Sequence, residues 1–325
     1  MLDLVEPRPG RVAFYDFSRK QESFEEAVVA GLSRAQKSIP SRFLYDAEGS
    51  ALFDRICTLP EYYPTRAEME ILAARARAIA RLIGPEATLI ELGSGSSVKV
   101  RLLLDAMDHP AAYLPIDVSG EHLLAAAEAL ASDYPELFVA AICADYADTF
   151  ALPATPGGGR EVAFFPGSTI GNLEPGEAEV FLSGWARSGS DMIVGVDLVK
   201  SRAVLEPAYD DAEGVTAAFS LNLLARANRE LGADFDLKAF AHRSRWNLAA
   251  SRIEIGIESL RPQTVRAAGH AYSFGRGERI ETEHSYKYSR DGFADLARRA
   301  GYDPIAVWTD RSGLFSVHYL KAETG

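Results

Sequence analysis

Four strand ends in this sequence carry groups able to hold and orient a small molecule. The first lies in Thr88-Leu89-Ile90-Glu91-Leu92-Gly93-Ser94-Gly95-Ser96-Ser97. Thr88 to Leu92 is a short apolar run of the kind buried on both faces of a sheet. Gly93, Ser94 and Gly95 then turn tightly enough for the backbone to approach a ligand. Ser96 or Ser97 can cap a helix that continues through Lys99, Arg101 and Leu102. Strand, glycine turn and helix start predict free N–H groups at the carboxyl end of a parallel strand, where cofactors bind. Asp117 ends the next strand, where a carboxylate can accept from both hydroxyls of a ribose; a cap for the helix near Ser119 is the alternative. Asp145-Tyr146 ends a third and suits an adenine, the carboxylate accepting from the exocyclic amine while the ring stacks; a surface turn is the alternative. Gly167-Ser168-Thr169-Ile170-Gly171-Asn172 ends a fourth.

A dinucleotide fingerprint wants a third glycine where Val98 stands, and the Gly-Lys-Ser/Thr of a P-loop is absent. What remains, Glu-Leu-Gly-Ser-Gly-Ser, resembles the first motif of Rossmann-like methyltransferases dependent on S-adenosyl-L-methionine. A purely structural turn in an α/β protein is the alternative. That methyl donor carries no phosphate, which fits a chain without a basic cluster. Lys99 can reach the cofactor's carboxylate or stand as an exposed helix lysine. Gly93, Ser94, Gly95, Lys99, Asp117, Asp145 and Tyr146 are therefore the candidate cofactor residues, with S-adenosylhomocysteine as the product.

A regular frame must position them. A long helix from Ala67 to Leu82 leads into the strand at Thr88, followed by strands at Tyr113 to Asp117, Phe138 to Cys143, Glu161 to Pro166 and Met192 to Val196. Helices between them, such as Glu121 to Ser132, predict a parallel sheet covered on both faces. The alternation stops after Lys200. A helix at Val215 to Leu231 and strand-like pieces such as Arg252 to Ile257 follow. It resumes with a helix at Asp291 to Ala300 and a hairpin, Ile305 to Thr309 and Leu314 to Leu320. A helix and hairpin of this kind close a methyltransferase sheet with an antiparallel last strand. The expected fold is α/β, a Rossmann-like class I methyltransferase with a mostly parallel sheet, plus a second α+β domain. Residues 65–199 and 287–325 would bind S-adenosylmethionine. Residues 1–64 and 200–286 would pack over that site as the substrate domain, a cleft between domains being a common place for a small substrate. Upstream, Ser23 to Ser33 reads as a helix with a Ser/Glu opening. The aromatic- and proline-rich stretches Arg42 to Phe53 and Leu59 to Glu68 read as an ordered loop.

The 325 residues are enough for two domains, and the 47% apolar share is ordinary for a globular core. Lysine plus arginine number 34 against 46 acidic residues, a net charge of −12, which argues against nucleic acid or an anionic membrane as partner. No basic segment precedes an apolar core at Met1 to Pro7, and no apolar run reaches membrane-spanning length. The expected location is the cytoplasm, where Cys57 and Cys143 would be reduced core thiols. No paired Cys/His spacing suggests a metal.

Several stretches together resemble the ergothioneine-pathway histidine Nα-methyltransferases, which convert L-histidine to its betaine, hercynine. They are Tyr45-Asp46-Ala47-Glu48-Gly49-Ser50-Ala51-Leu52-Phe53, Leu59-Pro60-Glu61-Tyr62-Tyr63-Pro64-Thr65-Arg66, Glu91 to Gly95, Gly167 to Leu173, Asp197-Leu198-Val199-Lys200, Tyr209-Asp210-Asp211, Ala233-Asp234-Phe235 and Glu281 to Lys287. The resemblance implies that Asn172 holds the substrate's amino-acid backbone and Tyr209 its carboxylate, with Gly167 and Thr169 beside the amine. It implies that Glu283 and Ser285 recognise the imidazole, and that Tyr45, Tyr62 and Phe53 line the pocket. Tyr45 and Asn172 are the residues it makes catalytic. On sequence physics alone, Asn172 is equally a loop residue, Glu283 and Ser285 a solvated strand face, and the aromatics core. Ile255 stands where histidine-specific members have methionine. It is stiffer at its branched Cβ but similar in bulk, which opens the choice between histidine and tryptophan. The expected protein is a monomer acting on a small amino acid. The alternatives are another amino-acid substrate, a non-catalytic binder of the methyl donor, or a dehydrogenase, against which the missing third glycine speaks.

Overall fold

The computed structural model describes residues 12–17, 22–95, 98–146 and 150–323. In chain order come β1 (Ala13–Asp16), α1 (Phe24–Leu32), β2 (Lys37–Ser38), a 3-10 turn at Ser41–Leu44, α2 (Ala47–Ile56) and α3 (Tyr63–Ile83). Then follow β3 (Thr88–Leu92), α4 (Val98–Leu104), β4 (Ala112–Asp117), α5 (Gly120–Asp133), β5 (Phe138–Cys143), β6 (Glu161–Phe165), α6 (Pro175–Arg187) and β7 (Asp191–Asp197). Next are α7 (Arg202–Tyr209), α8 (Val215–Leu231), β8 (Phe240–Asn247), β9 (Arg252–Ser259), β10 (Gln263–Ala267), β11 (His270–Phe274) and β12 (Arg279–Tyr286). Last are α9 (Arg290–Arg299), β13 (Tyr302–Thr309) and β14 (Phe315–Ala322).

These elements form two compact units. One holds Pro64–Leu198 and Tyr288–Gly325 with β1; the other holds Gln21–Tyr63 and Val199–Lys287. The first is built on an eight-stranded sheet in the order β1-β5-β4-β3-β6-β7-β14-β13. β1 through β7 pair in parallel along this order, while β14 runs antiparallel to β7 and β13 antiparallel to β14. Every residue of β3 is buried. Successive side chains go to opposite faces: Leu89 and Phe164 join one core, Ile90 and Phe165 the other. This is why the strands read as continuous apolar runs rather than alternating ones.

The second unit carries a four-stranded sheet, β2-β12-β9-β8, and the hairpin β10-β11. Arg42 to Phe53, expected to be an ordered loop, is mostly helical. Asp46 caps α2 by accepting the Gly49 N–H at 2.8 Å, and it also takes the Asn222 amide of α8 at 2.7 Å. The cap signal was in the sequence; the dense aromatics hid it. α3 likewise begins at Tyr63, ahead of the expected Ala67, because a proline such as Pro64 is tolerated in a first helical turn. The N-terminal segment does not stay together either. β1 extends the edge of the large sheet by pairing with β5, a non-local contact that periodicity cannot show. Cys143 is buried, but Cys57 is only half-buried, at the end of α2. The Ser96/Ser97 cap and the Met1 to Pro7 reading lie outside the described residues.

One buried ring makes the first unit sensitive to acid. His318 in β14 is 1% exposed, bonds Ser316 Oγ through Nε2 at 2.9 Å and packs on Phe293. Burial, helped by the charge of Arg290, pushes its pKa down from 6.5 to about 4. The unfolded chain takes up this proton near pH 6.5 and the folded chain refuses it until about pH 4. The ring's contribution is therefore complete above pH ~6.5 and is lost as pH falls, at about 1.4 kcal/mol per pH unit. Urea unfolding at pH 7 and pH 5 should show this loss, and His318→Gln should make the slope shallower.

Candidate active site

The strand order of the large sheet reverses between β3 and β6. In open α/β sheets ligands bind outside the carboxyl ends of the strands at such a point. Gly93-Ser94-Gly95 follows β3 and residues 167–172 follow β6, so the two loops flank it. At Gly93 to Gly95 the N–H groups are not free, and Ser96 and Ser97 lie outside the described residues. Gly93 and Ser94 both donate to the Ile116 carbonyl, at 2.9 and 3.1 Å, and Gly95 donates to that of Gly93 at 3.0 Å. The turn is locked to β4 instead, and its open side is at Gly95, where an added Cβ would meet nothing within 4 Å.

Behind the turn, Ser94 is fully buried and its Oγ lies 3.3 Å from the Tyr113 hydroxyl, which donates to Glu91. Burial raises the Glu91 carboxyl to about 7, against the Tyr113 bond and the nearby charge of Lys99. Asp117, half-buried at the end of β4, accepts the Ser119 N–H at 2.9 Å, and burial raises its pKa. β5 is registered so that Cys143 faces Asp117, and Ala144 donates to the Asp117 carbonyl at 3.0 Å. Asp145 and Tyr146 thereby come beside Asp117. The Tyr146 ring packs edge-on against Phe165 at 5.2 Å and lies 3.7 Å from the Cβ position of Gly93. The ends of β3, β4 and β5 thus gather an open backbone turn, a carboxylate with its ordinary acidity weakened, and an aromatic ring. These suit a nucleoside whose hydroxyls and amine donate.

Lys99 is not a free helix lysine. Its Nζ pairs with Glu68 at 2.7 Å, and Glu68, on α3, is 0% exposed. The same carboxylate accepts the Gly167 N–H at 2.9 and 3.1 Å. Gly167 has φ of +77°, a conformation that side chains disfavour. Ser168 next to it is also left-handed and accepts the Asp197 N–H at 2.9 Å. Thr169 Oγ1 donates to the Pro166 carbonyl at 2.8 Å, and Asn172, half-buried, ends a second 3-10 turn, Thr169–Asn172. Sequence reading passed over Glu68. Its signal was a carboxylate one turn before Leu72, on the buried stripe of α3 with Ile71.

The second unit contains a cavity lined by Tyr45, Phe53, Tyr62, Tyr209, Phe219, Ile255 and Glu283, among others. Its rings form a connected set: Tyr45 to Phe53 at 5.5 Å, Phe53 to Tyr62 at 6.2 Å, Tyr62 to Tyr209 at 6.1 Å and Tyr45 to Phe219 at 5.4 Å. Burial holds the Tyr62 hydroxyl protonated, its pKa pushed well up. A register shift between Glu281 and Glu283 sets Glu283 opposite Ile255 and Ser285 opposite Ile253. Ser285 Oγ is 3.0 Å from the Tyr209 hydroxyl, whereas His284 sits edge-on to the Tyr286 ring. The Tyr209 carbonyl is held by His242 Nε2 at 2.8 Å, and His242 Nδ1 meets Ser220 Oγ at 2.8 Å. A carbonyl only accepts, so Nε2 carries the proton and Nδ1 accepts from Ser220. Burial keeps this ring neutral by lowering its pKa. Phe219, Ser220 and His242 carried no sequence signal; only the fold of α8 against β8 assembles them.

The sequence model of a family described as "Histidine-specific methyltransferase, SAM-dependent" matches residues 24–322. The chain is 44% identical over 298 residues to the histidine N-alpha-methyltransferase of Mycobacterium tuberculosis, covering 89% of this chain and 92% of that protein. It is 43% identical over 304 residues to the enzyme of the same name from Mycolicibacterium smegmatis, covering 91% and 94%. It is 31% identical over 287 residues to ergothioneine biosynthesis protein 1 of Neurospora crassa, covering 84% of this chain but 32% of that longer protein.

Removing the Glu68 carboxylate should be costly, because it takes away the buried acceptor of the Gly167 N–H and the carboxylate that pairs with Lys99. Glu68→Ala is expected to destabilise the protein by about 3 kcal/mol, as for a broken buried ion pair. Urea unfolding measures it, and a loss within ~0.5 kcal/mol, the size usual for a surface substitution, would contradict the assignment.

Proposed function

The chain belongs to the SAM-dependent, histidine-specific methyltransferase family, and on that premise we propose that it trimethylates the α-amine of L-histidine to hercynine. The observation that carries this reading is the aromatic cavity holding a single carboxylate, Glu283. Glu283 would accept an imidazole N–H, and Ser285 would take the ring's other polar contact. Tyr209 would hold the substrate's carboxylate, with Asn172, Gly167 and Thr169 at the amine.

S-Adenosylmethionine, when bound, supplies a methyl group on a positively charged sulfur. The turn of Gly93, Ser94 and Gly95 would receive it on its open side at Gly95, with Asp117 as the ribose contact and Asp145 with Tyr146 as the adenine contact. Lys99 stands at the same loops, tied to Glu68. That methyl would pass to the α-amine, with S-adenosylhomocysteine as the product, and Asn172, Gly167 and Thr169 would hold the amine for the transfer. Orientation is the main contribution asked of the protein, since fixing two reactants removes a large entropic barrier. The amine must first lose its proton, to water or through a tyrosine-bound water. The faces of Tyr45 and Tyr62 suit the growing methylammonium, an attraction of roughly 0.5–2 kcal/mol. Each methyl replaces an N–H, so ring faces take over from hydrogen bonds as methylation proceeds.

Incubation with S-adenosylmethionine and L-histidine should give histidine carrying three methyl groups on its α-nitrogen, seen by mass spectrometry. Methylated tryptophan without methylated histidine would overturn the substrate assignment. Glu283→Ala should weaken histidine binding roughly tenfold to a hundredfold, the worth of a charged hydrogen bond. Calorimetry should show cofactor affinity nearly unchanged in the same variant; equal losses would indicate a folding defect.

A further inference from the structure

Lys287 follows β12 directly and is 2% exposed, which is rare for a lysine. Its backbone is clamped on both sides: its N–H donates to the Ser251 carbonyl at 2.8 Å, and its carbonyl accepts the Ser251 hydroxyl at 2.7 Å. Its Nζ donates to the Tyr209 hydroxyl at 2.6 Å and to Ser285 Oγ at 2.7 Å. Those two oxygens are 3.0 Å apart, so the three groups close a triangle. Resting on the reading of the cavity as an amino-acid site, we propose that Lys287 is a positioning residue that, with Ser285 behind it, makes the Tyr209 hydroxyl a receptor for the substrate's carboxylate.

The argument is one of hydrogen-bond direction and charge. An ammonium has only donors, so both hydroxyl oxygens must accept from it. Only one hydroxyl hydrogen can lie along the Tyr209–Ser285 edge, and the other is directed out of the triangle. Tyr209 lines the cavity, so a ligand group there meets a hydroxyl polarised by a positive charge. An anion is favoured and a cation repelled. Glu283, two residues before Ser285 on the same strand, puts the opposite charge in the same cavity. The cavity therefore has an acidic point at Glu283 and, at Tyr209, a hydroxyl backed by the Lys287 ammonium, which match an amino acid bearing a carboxylate and an N–H-bearing ring.

The test compares affinities for L-histidine and for histamine, which keeps ring and amine but lacks the carboxylate. L-Tryptophan and tryptamine form a second pair. Calorimetry on the full chain should show the acid preferred in each pair that binds. Lys287→Met should weaken the acid roughly tenfold to a hundredfold and the amine by less than about twofold. Lys287→Gln, which keeps a donor but not the charge, should show the same acid-selective loss and serves if the methionine variant does not fold. Equal weakening of acid and amine in both variants would mark Lys287 as merely structural and overturn the proposal, while histidine methylation by the unaltered protein would leave the proposed function standing. If only the tryptophan pair binds, the histidine assignment falls and the role of Lys287 is decided on that pair. Binding of neither acid would overturn both.

Discussion

The buried carboxylate of Glu68 is the constraint on which the ligand-facing end of the large sheet depends. A carboxylate without solvent must find donors, and here they come from two other elements. Lys99 reaches it from α4, and the Gly167 N–H reaches it from the loop after β6. The third approach is steric: a Cβ at Gly195 in β7 would stand 2.1 Å from Glu68 Oε1, so β7 has to carry glycine there. One side chain thus ties together the helix before β3, the helix after it, and the two strands beyond the switch point. The left-handed backbone at Gly167 and Ser168 is held in place by these bonds rather than by local preference.

The second unit solves a different problem. Its cavity walls are largely rings, packed edge-on against one another. Tyr209 and its neighbour Ser285 are braced from behind. His242 holds the Tyr209 carbonyl and Lys287 holds the Tyr209 hydroxyl, so this tyrosine is fixed at both ends. Ser285 is fixed by the same lysine. Such bracing lowers the freedom a side chain must lose when a ligand binds, which is where preorganised sites gain affinity.

Much of the large sheet was legible because fully buried parallel strands show as apolar runs at regular spacing. Thr88 to Leu92 and Phe138 to Cys143 were read with the bounds the structure gives. The candidate cofactor residues were legible for a related reason: they stand at strand ends, and a parallel sheet brings strand ends together. The aromatic stretch around Tyr45 was misread because composition outweighed the cap at Asp46. The N–H groups of Gly93 to Gly95 were misjudged because their acceptors, on β4 and within the turn, depend on backbone path rather than residue type.

By itself the sequence determined the α/β class, the interrupted alternation and the family. Each follows from local pattern, which a chain displays whatever its neighbours are. Only the tertiary structure decided the edge position of β1, the burial of Glu68 and Lys287, and the pairing of Ser285 with Tyr209. These join residues distant in sequence, such as Glu68 with Gly167 and Tyr209 with Lys287. A charged side chain looks the same in sequence whether it is solvated or buried; its partners appear only when packing removes the water.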